Sequence, residues 1–272
     1  MGELSDKIKE WESMKKAAAK NELKPTLNYQ KFDVDKLSIM LLGDEHIGSR
    51  YYDKDMHQEV LEHCFENKIP IILMGDELET ATRDSVGSGV YEQDEILEQQ
   101  LEHFMHLYKP LAENGLVLGL HPGNHENRVY NQAGLNLSKI MAKQLDVPYF
   151  GWGKMHYFLV GKQGYTIYTT HGASGARMPH TKIKGVIDLA NLAEAEIYAM
   201  GHLHQLSHHV KNFYSADLRN KKVIEAQKHF ILTGSYLNHW GSYAHMKSLE
   251  PMRKGSPILK LNGEKHEIRV SL

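Results

Sequence analysis

The chain has one cysteine, Cys64, in 272 residues, so it can form no internal disulfide. That excludes a cross-linked secreted scaffold and fits a reducing compartment, so a cytoplasmic placement is expected. Cys64 falls on the apolar side of an expected helix and reads as a buried core thiol. Apolar runs are short; none approaches the roughly 20 residues that span a bilayer, so no membrane association is expected. The first six residues, Met1 to Asp6, lack the basic-then-apolar order of a signal peptide. Charge of one sign is missing as well. A formal net charge of −2 excludes a global basic field, so any contact with nucleic acid must come from a local patch. There is no internal repeat, low-complexity tract or clear linker.

What remains is an ordinary globular composition, 41% hydrophobic and 24% charged. The length suits one α/β domain with extensions. Residues 1–30 read as a helical extension, since Leu4, Ile8, Trp11 and Met14 recur at helical spacing and Pro25 ends the pattern. Such an amphipathic helix would pack on the body or on a partner chain, and a homo-oligomer is compatible with it. Residues 31–272 read as a single domain.

Within that domain, Leu37 to Leu42, Pro70 to Met74 and Leu116 to Leu120 are apolar runs suited to covered strands. Helices are expected over 55–67, capped by Asp55, and over 94–111 and 135–145. Arg83 to Val90 is rich in Gly and Ser and reads as an exposed loop. Further on, 155–160 and 165–170 form a hairpin, 196–200 is a strand, and 223–224, 229–233, 257–261 and 266–270 complete a second sheet. The fold class expected is α/β, with two facing mixed β-sheets flanked by helices in four αββα layers.

Histidine is the abundant residue, with 18 in the chain. Several fall in five motifs that each end an apolar run. They are Asp44-x-His46, Gly75-Asp76, Gly123-Asn124-His125-Glu126, Thr170-His171-Gly172 and Gly201-His202-x-His204. In α/β sheets, sites lie beyond the carboxyl ends of strands, where these motifs fall. In extended chain, residues two apart point the same way, so each Asp/His or His/His pair is expected to present two donors from one face. Asp, Asn and His without thiolate suit Mn, Fe, Zn or similar divalent ions. Singly, each motif has an ordinary reading: Asp44 or Asp76 as a turn residue, Asn124 in a left-handed turn, His171 as a hydrogen-bonded strand end. Turn chemistry does not explain why all five sit at strand ends.

Taken in order, the five motifs resemble those of the calcineurin-like metallophosphoesterases over about residues 37 to 205. In their bare Asp-x-His and Gly-Asn-His style they are similar to the exonuclease-like, DNA-repair branch. The resemblance implies two divalent ions, Mn²⁺ foremost, with Fe, Zn, Ni or Co also suited. Asp44, His46 and His204 would hold the first and Asn124, His171 and His202 the second, with Asp76 bridging. His125 would protonate or hydrogen-bond the leaving oxygen, and Glu126 would orient His125 or a ligand histidine. One departure is Glu79, where the family commonly has an aspartate; a longer carboxylate there would serve behind the ligands. Glu79-Thr80-Ala81-Thr82-Arg83 also differs from the Asp-Arg-Gly of the protein phosphatases, which counts against that branch.

The expected activity is metal-dependent phosphodiester hydrolysis on DNA or RNA, with a phosphate ester as substrate. A small-molecule phosphodiesterase or phosphatase acting on cyclic nucleotides or nucleotide esters is the alternative. An inactive scaffold is disfavoured by seven intact ligands. Substrate contacts are expected from Arg50, Tyr51 and Tyr52, and from Arg177, His180, Lys182 and Lys184 in a loop after His171. The stretch Asn238 to Tyr243 would line the mouth or pack the second sheet.

Overall fold

The computed structural model describes residues 3–22, 25–83, 85 and 89–272. Of the Gly- and Ser-rich stretch 83–90, Asp84 and residues 86–88 lie outside that set. The elements in chain order are α1 (Glu3–Glu22), β1 (Leu27–Phe32), β2 (Lys36–Leu42), α2 (Lys54–Glu66), β3 (Ile71–Leu73), α3 (Leu97–Glu113) and β4 (Val117–Leu120). There follow α4 (Asn124–Ala133), α5 (Leu137–Leu145), β5 (Lys154–Val160), β6 (Gln163–Thr170), α6 (Pro179–Asp188) and β7 (Ile197–Met200). The last are β8 (Leu206–Asp217), β9 (Lys222–Thr233), α7 (Tyr243–Met246), β10 (Ile258–Asn262) and β11 (Ile268–Ser271).

Two mixed sheets result. One runs β11-β10-β2-β3-β4, with β2, β3 and β4 parallel; the other runs β1-β5-β6-β7-β9-β8, with β6, β7 and β9 parallel. Their facing sides bury Ile39, Leu41, Ile72 and Met74 against Phe158, Ile167, Ile197 and Ile231. The outer side of the five-stranded sheet, Met40, Leu42, Ile71 and Leu73, packs on Leu61 and Cys64 of α2, Phe104 and Tyr108 of α3 and Met141 of α5. The outer side of the six-stranded sheet packs Tyr198, Met200, Phe230 and Leu232 on Val186 of α6. Continuous apolar runs such as 37–42 are thus explained: both faces of those strands are covered.

Some boundaries differ from the sequence reading. Asp53, not Asp55, caps α2, its carboxylate accepting from the Met56 N–H at 3.3 Å. Helix α3 starts at Leu97 rather than 94: Ile96 is its extended cap (φ −71°, ψ 162°), with its N–H donating to Gln99 Oε1 at 3.1 Å. The stretch 222–233 is one long strand, paired along its length with β8. β1 crosses the boundary drawn at residue 30, since Leu27 already pairs with Met155 of β5. In α1, Leu4, Ile8, Trp11 and Met14 are all exposed, so that stripe does not pack on the body. No helix among the described residues is long and apolar enough to cross a membrane.

Candidate metal centre

Four loops and one helix start meet where the parallel strands of both sheets end. Asp44 follows β2, Asp76 follows β3, Asn124 opens α4 after β4, His171 follows β6, and His202 and His204 follow β7. The pairs are expected to be extended, and they are not. Asp44 (φ 55°), His46 (55°), Asp76 (56°), His202 (66°) and His204 (49°) all have left-handed backbone. Each such non-glycine residue costs on the order of 1 kcal/mol, so the surrounding bonds must fix it. They do so by zipping the first loop to the second. The N–H groups of Asp44, His46 and Ile47 donate to the carbonyls of Gly75, Asp76 and Glu77 at 2.9, 3.1 and 2.9 Å. The His202 N–H donates to both Asp44 carboxylate oxygens, at 3.1 and 2.9 Å. Gly123 allows the closest approach: a Cβ there would sit 2.1 Å from the Asp76 backbone nitrogen.

The third motif is the first turn of a helix, not a loop. Its Glu126 carboxylate accepts the N–H groups of Gly123 (3.0 Å), Asp76 (3.2 Å) and Leu78 (2.8 Å). Glu126 therefore fastens the Asp76 loop to α4, which corrects the expectation that it orients a histidine. Glu79 does that instead. Its Oε2 lies 3.2 Å from His46 Nδ1, and its backbone carbonyl accepts from His125 Nδ1 at 2.7 Å.

The side chains converge in two groups. Asp44 Oδ1 and His46 Nε2 each lie 3.2 Å from His204 Nε2. His171 Nε2 lies 3.4 Å from Asp76 Oδ2 and 3.0 Å from Asn124 Oδ1. One ligand atom from each of Asp44, His46 and His204 lies within 4.8 Å of the others, and so does one from each of Asp76, His171 and His202. A third such group, His46, Glu79 and His125, flanks them.

These residues fit divalent cations. His171 Nδ1 donates to the Met74 carbonyl (2.9 Å), His202 Nε2 to the Ser174 carbonyl (3.0 Å), and His46 Nδ1 faces Glu79. For His171 and His46 this fixes the ring so that Nε2 lies among the other candidate ligands, the orientation control that metal-bound imidazoles require. Charge points the same way. Burial alone would keep His171 neutral, but Asp76 and Asp44 raise its pKa to about 9. Burial would raise the Asp76 carboxyl, yet His171 and His125 hold it well below the usual carboxylate range. The site thus favours positive charge among its carboxylates. His125 differs: burial, against the pull of Asp76, pushes its pKa down to about 4.

The expected substrate residues are only partly gathered. Arg50 is exposed at the rim, its Nε 3.3 Å from Asp94 Oδ1 and its Nη2 donating to the Tyr91 carbonyl at 3.2 Å. Tyr52 belongs to the core, bonded to buried His57. Arg177 and His180 are exposed, and no hydrogen bond described ties them to the metal loops; residues 179–184 belong to helix α6 and not to the expected loop. Trp240 is exposed and stacks on His245 at 4.3 Å, beside Tyr51, whose carbonyl takes the Asn238 N–H. One residue the sequence reading passed over is Arg128. Its guanidinium lies on His125, with Nη2 2.8 Å from Nε2. The signal was there, since positions three apart share a helix face, but it needed 124–133 to be recognised as helix.

No family model matches the chain, and no curated protein matches its sequence. Among solved structures it overlays a conserved uncharacterized protein and predicted phosphoesterase of Streptococcus pneumoniae, at 12% identity over 86% of this chain and 88% of that one, TM-score 0.38. A single mutant of Vps29 from Entamoeba histolytica overlays at 13% identity over 86% and 97%, TM-score 0.38. Wild-type Vps29 of the same organism, complexed with Zn²⁺, overlays at 12% over 86% and 97%, TM-score 0.35. Overlays this loose carry no weight here; fold and site rest on the chain's own residues.

Proposed function

We propose that the chain is a metal-dependent phosphodiesterase with a dinuclear centre. Asp44, His46 and His204 hold one divalent ion, Asn124, His171 and His202 the other, and Asp76 is shared. The observation that carries this reading is the position of Asp76. Its Oδ2 meets His171, its Oδ1 accepts the His125 N–H at 2.8 Å, and its backbone carbonyl accepts the His46 N–H. One loop therefore joins both ligand groups. Nitrogen and oxygen donors make Mn²⁺ the ion to test first. Bound there, two such ions supply Lewis acidity and an acidified water for attack on phosphorus.

The chain's own residues do the rest. His125, with Nε2 3.8 Å from Asp76 Oδ2, is sited to hydrogen-bond the leaving oxygen. Glu79 holds His125 and His46 in register. Nucleic acid is the substrate class that the rim supports, because Arg50, exposed Tyr91 and the Trp240–His245 stack offer a cation and aromatic faces to a base. The test is hydrolysis with Mn²⁺ of single-stranded DNA, duplex DNA, a bis-aryl phosphodiester and a phosphomonoester. Nucleotide release that disappears in His125→Ala supports the reading. Turnover of the small diester alone moves it to a small-molecule phosphodiesterase, and no turnover of any substrate contradicts it.

A further inference from the structure

His125 is expected to meet the leaving oxygen through Nε2, yet in this structure that atom is already engaged. His125 Nδ1 lies 2.7 Å from the Glu79 carbonyl, which can only accept, so Nδ1 carries the proton. The neutral ring then offers a lone pair at Nε2. Arg128 has only donors, and its Nη2 donates to that lone pair at 2.8 Å. Its Nη1 donates to the Glu79 carbonyl at 3.2 Å and lies 3.1 Å from Nδ1, which offers it nothing. The nearest carboxylate contact, Glu79 Oε1, is at 3.9 Å, too long for a hydrogen bond.

Arg128 is therefore a guanidinium whose bonds are one carbonyl and one imidazole, where its planar fork suits a bidentate oxyanion. Its side chain is 27% exposed, and the imidazole it caps lies 3.8 Å from the shared carboxylate Asp76. Capped this way, His125 Nε2 can neither donate to nor accept from a substrate.

We infer that Arg128 is a phosphate-binding residue parked on His125 until substrate arrives. The non-bridging oxygens of the entering phosphate take the guanidinium, and its departure uncovers the Nε2 lone pair, which can accept a proton from the attacking water and pass it to the leaving oxygen. Two sites, one for the phosphate charge and one for the leaving group, are thus linked through a single side chain. The inference rests on the phosphoesterase reading above and adds to it the residue that recognises the phosphate.

Calorimetric titration of inorganic phosphate into metal-loaded protein tests it, with wild type, Arg128→Ala, Arg128→Lys and Arg128→Gln compared at equal metal content. Loss of a bidentate charged contact is expected to weaken phosphate roughly 10- to 100-fold in Arg128→Ala and Arg128→Gln. Lysine should recover part of the affinity, because it restores charge without the fork. Arg128→Gln keeps an N–H donor for the Glu79 carbonyl, so it preserves the packing if Arg128→Ala fails to fold. In steady state the KM for a diester should rise in the same order. Equal phosphate affinity in wild type and Arg128→Gln, with equal metal content, overturns the inference while leaving the phosphoesterase reading intact. A wild-type protein that takes up metal but neither binds phosphate nor cleaves an ester overturns both.

Discussion

Two histidine clusters lie deep in this molecule, and they behave in opposite ways. At the metal loops, His46, His171 and His202 each have one ring nitrogen facing a carboxylate or carbonyl and the other turned toward the ligand group. Between the sheets, a second set runs as a closed relay. His121 Nδ1 donates to the Gly151 carbonyl (2.7 Å), and its Nε2 accepts from the Thr169 hydroxyl (2.6 Å). Thr169 in turn accepts from His156 Nε2 (2.7 Å), whose Nδ1 takes the Asn28 amide at 2.9 Å. Every nitrogen in the relay is satisfied, and burial drives His121 to about 4 and His156 to about 3. Burial is common to both clusters. Neighbouring carboxylates distinguish a candidate ligand from a structural histidine.

The comparison can be broken most severely at Asp76. Asp76→Ala should lower ester hydrolysis about a thousandfold or more, because both ligand groups lose their common member. Its thermal midpoint should change far less than its activity, as differential scanning fluorimetry beside a rate assay will show.

Thr169→Val should do the reverse. Removing the hydroxyl strands a donor on His156 and an acceptor on His121, at a cost of about 2–4 kcal/mol. Urea denaturation should register that loss while activity per folded molecule holds.

Acid sharpens the contrast further. His57, bonded to Tyr52 and Tyr108, is pushed down to about 3 by burial, and with His121 and His156 it forms a set whose folded pKa values lie below the unfolded value near 6.5. Their stabilisation is complete above about pH 6.5 and falls as the pH drops toward 4, by roughly 1.4 kcal/mol per pH unit for each histidine. His156→Asn should make the urea midpoint less steep in pH over that window.

The smallest effect is expected at the rim. Arg50→Ala breaks an exposed contact with Asp94 and should change stability by no more than about 0.5 kcal/mol. If Arg50 meets the polymer, its loss should lower the salt dependence of DNA binding, measured by fluorescence anisotropy.

The sequence carried the five motifs and the strands that deliver them, because covered strands read as apolar runs and the ligands sit just past their ends. Residues 37–42 and 197–200 were legible for that reason. β1 was not, since Asn28 turns inward to a polar relay and Gln30 is half-buried while Leu27 and Tyr29 face out. β8 was missed because it is an edge strand with His208, His209 and Lys211 on a partly exposed ribbon. The left-handed backbone of Asp44, His46 and His202 had no sequence signal either. Glycine marks such conformations, but here non-glycine residues are held in them by hydrogen bonds from other loops. Arg128 stayed hidden with the helix that carries it.

Metal uptake tests the central claim most directly. Wild type and Asp76→Ala are equilibrated with Mn²⁺, desalted and assayed by inductively coupled plasma mass spectrometry. Two ions per wild-type chain, and a clear loss in the variant, are the predicted result. A wild-type chain that retains no ion, or an Asp76→Ala chain that retains as many as wild type, would contradict a shared carboxylate at a two-metal site.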